Sequence, residues 1–155
     1  MNFACNQNQE KRNFLRHSMC FPLVFSLIKS PLKKRTKPEK SKTKNISRGG
    51  LLFSSKKGVG PDSLIRIKIP FQNKIFKIKA QVVHCDKNPN TKLYDIGVKF
   101  IRPQEAFKVK LIEQLYLISE YRDLQSIRLG REISLQKASQ EWIEKYSERF
   151  NRLYW

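Results

Sequence analysis

Histidine is almost missing from this 155-residue chain, with His17 and His84 its two examples, and acidic side chains number only 13. No HExxH metal motif, GxSxG elbow or P-loop occurs, and no group of carboxylates stands ready to hold Mg²⁺. Hydrolysis and phosphoryl transfer therefore have no visible apparatus, and the chain reads as a non-enzyme with neither cofactor nor metal. Cysteine is scarce as well. Cys5, Cys20 and Cys85 form no CxxC pair, and an odd count leaves one thiol over in any disulfide scheme, which suits a reducing cytoplasm. His84 and Cys85 are adjacent, but neighbours on a strand point to opposite faces and make a poor metal pair. Also lacking is an apolar run of the about 20 residues that a membrane span needs. Met19 to Ile28 has the look of a signal peptide's apolar core behind Lys11, Arg12 and Arg16. Pro22 interrupts it, however, Lys29 ends it, and no small-x-small cleavage site follows.

What the chain has in excess is positive charge. Lys and Arg number 32, which leaves +19 at pH 7, while 39% hydrophobic and 11% aromatic residues suffice for one core. The excess is uneven: 12 basic and 2 acidic residues in 1–48, 11 and 3 in 49–102, 9 and 8 in 103–155. A polyanionic partner is the first expectation, with its site in the first two thirds of the chain.

Patterning divides the chain into a flexible lead-in over 1–9, a β domain over 10–103 and a helical extension over 104–155 that packs on the barrel or on a partner. Met19 to Ile28 has the length and composition of a strand. Ser30 to Lys44 holds Pro31, Pro38 and seven basic residues against Glu39, which predicts an extended, solvated loop. Ile65, Ile67 and Ile69 alternate with Arg66 and Lys68, and Phe76, Ile78, Ala80 and Val82 continue the period after Gln72-Asn73-Lys74, a hairpin pattern. Leu51 to Phe53 and Leu93 to Ile101 add further strands. About six short strands with brief turns predict a mainly β protein built on a small antiparallel barrel. Beyond Pro103 the period becomes helical, with Phe107, Leu111, Leu115 and Ile118 on one stripe. A second stripe, Leu135, Ala138, Trp142, Tyr146, Phe150 and Leu153, starts behind Ser134 as N-cap.

Two constellations could carry binding chemistry. Arg12 and Arg16, four apart, offer guanidinium forks that match phosphate oxygens or the O6/N7 edge of guanine and stack on purines. About thirty residues later comes Asn45-Ile46-Ser47-Arg48-Gly49-Gly50. On a strand Asn45 and Ser47 face the same way, an amide beside a hydroxyl, while Ile46 fills the core; Gly50 permits a tight bend and close approach to backbone. The same residues also spell a plain Asn/Ser/Gly turn.

Together, Arg12-x-x-x-Arg16 and Asn45-x-Ser47-x-x-Gly50 resemble the RxxxR and [D/N]xSxxG motifs of the PilZ domain family, bacterial receptors of the second messenger cyclic di-GMP. Ala80 to Val83 and Tyr94-Asp95-Ile96-Gly97-Val98-Lys99-Phe100 are similar to late strands of that family. The resemblance implies a six-stranded antiparallel barrel with C-terminal helices. It also implies a ligand site of Arg12, Arg16, Asn45, Ser47 and Gly50, with Lys11, Arg48 and Gly49 as secondary contacts. Where the family often has another arginine this chain has Lys11, and where many members have Asp it has Asn45. The reading that follows is a cytoplasmic cyclic di-GMP receptor that passes binding on to an effector protein. Rival readings are a general single-stranded nucleic-acid binder of small-barrel type and a structural adaptor in a motility or secretion assembly. Residues 1–16 lack apolar periodicity, so the arm bearing Arg12 and Arg16 is expected to order over the barrel when ligand binds.

Overall fold

The computed structural model describes residues 16–29 and 37–154, with the backbone alone at 16–18, 147 and 149–154. Lys11 and Arg12, the lead-in over 1–9 and residues 30–36 of the basic segment lie outside the described residues. The strands are β1 (Arg16–Ser18), β2 (Pro22–Leu27), β3 (Glu39–Ser47), β4 (Gly50–Ser55), β5 (Leu64–Phe71), β6 (Lys74–Lys87) and β7 (Tyr94–Phe100). Helices α1 (Pro103–Leu129) and α2 (Leu135–Tyr154) follow. All pairings are antiparallel, in the order β1-β3-β2-β5-β6-β7-β4, and a further β3–β4 pairing closes the sheet into a barrel.

Seven segments make six barrel staves, because β1 and β2 are one strand broken at residues 19–21. Both lie along the same partner: β1 pairs with Asn45, Ile46 and Ser47, β2 with Glu39 to Lys42. Thr43 stands at the break. Its buried hydroxyl donates to the Met19 carbonyl at 2.6 Å and accepts the Phe21 amide at 2.9 Å, while its own amide donates to the Phe21 carbonyl at 3.0 Å. Three polar groups stranded by the interruption are thereby satisfied. A register shift in the β3–β4 ladder between Thr43 and Asn45 falls at the same point.

Residues 39–44 are strand, which corrects the expected loop over Ser30 to Lys44. Charge density there does not prevent pairing because Lys40 and Lys42 alternate with Ser41 and Thr43 and stay exposed. Glu39 ties the start of β3 to the end of β4, its carboxylate accepting the Lys56 amide at 2.6 Å and the Ser55 hydroxyl at 3.2 Å.

The barrel interior follows the period-2 pattern. Ile65, Ile67 and Ile69 from β5 meet Ile78 and Ala80 from β6, with Phe21, Leu23, Ile46, Phe53 and Ile96 around them. Strand β7 ends at Phe100, so β6 would have a bare edge before Ala80. The first turns of α1 cover it: Glu105 accepts the Lys79 amide at 3.2 Å and the Lys108 ammonium donates to the Lys77 carbonyl at 3.2 Å. Farther on, Val109 and Ile112 enter the barrel core. Tyr116 lies against Phe21 and Phe71 with ring centroids 5.3 and 5.2 Å away, and its hydroxyl donates to the Pro70 carbonyl at 2.6 Å.

That stripe differs from the expected one. Phe107 is 69% exposed and Leu111 41%, while Ala106, Val109 and Ile112 are buried. Apolar residues surround this helix, so spacing alone could not select the face that the barrel takes. Helix α1 ends at Gly130 in the left-handed region (φ 65), whose amide donates to the Ile127 carbonyl. Ser134 then caps α2 by accepting the Lys137 amide at 3.2 Å. Ala138 and Trp142 of α2 pack with Ile118, Tyr121 and Ile133, so α1 covers the first part of the aromatic stripe, while Tyr146 is 39% exposed and the side chains of Phe150 and Leu153 lie outside the described residues. The Tyr121 hydroxyl donates to Glu141 at 3.0 Å and accepts from Lys145 at 3.1 Å.

Thr43→Val keeps the shape of the side chain and removes both hydroxyl bonds at the strand break. Denaturant unfolding should show a loss of about 1–3 kcal/mol, with Thr43→Ser much milder. Equal stability of the valine variant would mean that the break is held by other contacts.

Candidate functional site

Strand β3 carries Asn45 and Ser47 on the side opposite Ile46, which is fully buried. Register brings Arg16 of the first constellation to them: Arg16 stands across from Ser47, His17 from Ile46 and Ser18 from Asn45. Two segments about thirty residues apart in sequence thus lie on neighbouring strands. Of the eight residues selected from sequence, six have a described backbone. Five of them, Asn45, Ser47, Arg48, Gly49 and Gly50, run consecutively but for Ile46, and Arg16 is their cross-strand neighbour.

Side chains of the second constellation are employed differently. Asn45 is half-buried on β3. Ser47 is buried, and its hydroxyl oxygen accepts the amides of Gly49 at 3.2 Å and Gly50 at 3.3 Å, with its proton directed at the Gly50 carbonyl 3.4 Å away. That is a side-chain-stapled turn, the plain turn that the same residues also spell. Gly49 fastens the turn to β7 by accepting the Phe100 amide at 2.9 Å. Gly50 pairs with Lys99, and a Cβ there would lie 1.8 Å from the Val98 carbonyl oxygen. The close approach that demands glycine comes from strand β7.

Arg48 is exposed at the tip of this turn and lines an open cleft of about 750 Å³ against the start of α1, together with Pro103, Phe107, Lys110 and Leu111. The Lys110 ammonium has its pKa pulled below the ordinary lysine value, first by burial and further by the positive charge of Arg48, with Glu113 acting the other way. Two cations and an exposed aromatic ring therefore border one concavity beside the motif turn. Phe107 is expected on the packing stripe of α1 and Lys110 bears no sequence signal of a site; only the docking of α1 brings them to Arg48.

Neighbouring charges are largely settled. Lys44, next to Asn45, pairs with Asp95 at 2.6 Å, and the Asn88 amide donates to the other Asp95 oxygen at 3.3 Å. The His84 ring packs over Gly97, where a Cβ would stand 2.1 Å from its Nε2, while Cys85 Sγ accepts the Val59 amide at 3.4 Å. Among the described residues no group of three or more His, Cys, Asp or Glu is placed to hold a metal ion, and no helix is long and apolar enough to cross a membrane.

The sequence profile of the PilZ domain matches residues 10–117. The chain belongs to the PilZ domain family. The match takes in the barrel and the first half of α1, and no curated protein matches the sequence. Two solved structures with TM-scores of 0.50 agree on the fold. The PilZ domain of YcgR from Escherichia coli, determined with cyclic di-GMP, is 15% identical with a TM-score of 0.50, covering 76% of this chain and 98% of that one. MrkH of Klebsiella pneumoniae in its cyclic di-GMP complex is also 15% identical at 0.50, covering 72% of this chain and 54% of its own. The PilZ domain of CeSA from a cellulose-synthesizing bacterium is 11% identical at 0.47, covering 64% and 94%. The chain thus spans about half the length of MrkH and nearly all of the isolated YcgR domain.

Gly50→Ala should destabilise the barrel by about 3 kcal/mol, the upper end of the cost of overpacking, because the obstacle is backbone. Thermal unfolding without any ligand measures it. An unchanged melting temperature would mean that β4 and β7 separate readily at this point.

Proposed function

We propose that this PilZ protein is a non-enzymatic receptor of cyclic di-GMP that transmits binding to an effector protein. One observation carries the reading above family membership: the ladder that sets Arg16 across from Ser47 and Ser18 across from Asn45. In this reading Arg12 and Arg16 supply guanidinium forks to phosphate and to the Hoogsteen edge of guanine. Asn45 hydrogen-bonds guanine or phosphate from the barrel face. Ser47 works at one remove, holding the Arg48-Gly49 turn in shape through the bonds already described, and Gly50 keeps that turn against β7. Lys11 and Arg48 add positive charge at the margins of the site.

Selectivity separates this function from general attraction to phosphate. Calorimetric titration should give saturable binding of cyclic di-GMP and none of cyclic AMP, which lacks paired guanine edges. Equal uptake of any short oligonucleotide, falling steeply with salt through counterion release, would replace the receptor reading with nucleic-acid binding.

Arg16→Ala and Asn45→Ala test the site itself. Each should weaken cyclic di-GMP binding by about 1–3 kcal/mol, roughly five- to 150-fold, with the fold retained. Joint replacement of Lys33, Lys34 and Lys37 by Gln should cost far less. A triple variant weaker than Arg16→Ala would move the site to the basic segment.

A further inference from the structure

The outward face of the β5–β6 hairpin repeats an arrangement that sheets ordinarily avoid. Its register sets Arg66 across from Lys79 and, in the next row, Lys68 across from Lys77. All four side chains are exposed, while Ile65, Ile67, Ile78 and Ala80 turn inward. Partners on adjacent strands stand about 5 Å apart, and like charges directly opposite destabilise a ladder. Among the described residues no carboxylate forms an ion pair with any of the four. Glu105 is the acidic group of the cleft of about 360 Å³ that they line, but it is engaged by the Lys79 amide and, at 3.5 Å, by the Lys108 ammonium. Lys108 adds a fifth cation to the same cleft.

Rows at the two ends of this face are apolar on one or both strands. Leu64, 42% exposed, lies across from Gln81, and Ile75, 62% exposed, across from Pro70. The face therefore reads aliphatic, cationic, cationic, aliphatic over roughly 20 Å of strand. We propose that it docks the barrel onto an anionic phospholipid surface. Lysines are compact charges that accept phosphate from any direction, and three of the four are lysine. No aromatic residue occupies any of the eight positions to stack a nucleic-acid base. A row of duplex phosphates would satisfy the cations and leave Leu64 and Ile75 in water. A bilayer interface takes aliphatic groups at the headgroup boundary and cations among the headgroups. The inference does not depend on the cyclic di-GMP reading, since none of the motif residues belongs to this face.

Co-sedimentation of the full chain with vesicles of equimolar phosphatidylglycerol and phosphatidylcholine, beside phosphatidylcholine alone, tests it. Binding is expected only to the anionic vesicles. Arg66→Gln with Lys79→Gln, and Lys68→Gln with Lys77→Gln, should each lower the partition about thirtyfold, as expected for two cations near a charged surface. Melting temperatures of both variants should equal or exceed that of the parent, because a repulsive row has been relieved. Ile75→Ser should weaken binding with charge unchanged, and Lys87→Gln with Lys92→Gln, the same loss of charge on the β6–β7 turn, should not. The inference is overturned if the hairpin variants bind vesicles like the parent, or if the turn variant loses as much. It is equally overturned if a duplex oligonucleotide depends on these four residues while anionic vesicles do not bind.

Discussion

Thr43 gives its proton to the Met19 carbonyl and takes the Phe21 amide, and through these two bonds one edge of β3 holds two successive strands. Without such a bridge a break of three residues in a barrel stave would leave backbone groups unsatisfied in a partly buried place, at about 1–3 kcal/mol each. With it, the chain passes Thr43 between β1 and β2 and stays paired with β3 on both sides, β1 in the register that sets Arg16 against Ser47. The receptor site proposed for this protein thus depends on a residue that touches no ligand in that proposal. Its requirement is steric and polar together: a β-branched side chain that fits the strand and a hydroxyl that serves as donor and acceptor at once.

The opposite problem arises where β7 stops. Strand β6 is the longest in the barrel, and its first residues outrun their partner. Helix α1 supplies what the missing strand would have supplied, a carboxylate for the Lys79 amide and an ammonium for the Lys77 carbonyl. Those two bonds orient the helix so that Val109, Ile112 and Tyr116 meet the barrel. The same orientation leaves Phe107 and Lys110 beside Arg48. Edge protection and the shape of the cleft next to the motif turn are consequences of one docking geometry.

Much of this was legible in sequence where a single local rule governs. The β5–β6 hairpin is written in alternating isoleucines and the α2 start in Ser134, because burial on one face and capping are both local. The spacing of Arg12, Arg16, Asn45 and Ser47 likewise spells both halves of the motif. Three things were not legible. Lys40, Lys42 and Lys44 read as a repelling loop, because charge density alone does not show which face of a strand carries it. The barrel-facing stripe of α1 could not be chosen among apolar residues that surround the helix. Thr43 showed nothing at all, since its partners Met19 and Phe21 are more than twenty residues away and become neighbours only on folding.

The surplus of positive charge is better understood by setting than by total. Lys44 has Asp95 at 2.6 Å and needs nothing further. Arg48 and Lys110 border one concavity, where burial and then the charge of Arg48 pull the Lys110 pKa down against the opposing pull of Glu113. On the hairpin the repulsion is arranged in rows and is open to solvent. Water and salt screen such rows, which limits the cost in the free protein to a few tenths of a kcal/mol per pair. A low cost when free and a combined attraction when a flat array of anions approaches are features of a reversible surface contact. A deep site would instead need its charges desolvated and paired. The protein therefore carries two unlike arrangements of cations. One is a small set beside a sculpted turn, which the proposed receptor function would use for one shaped ligand. The other is a repeating row in which number and spacing matter more than the identity of any one side chain.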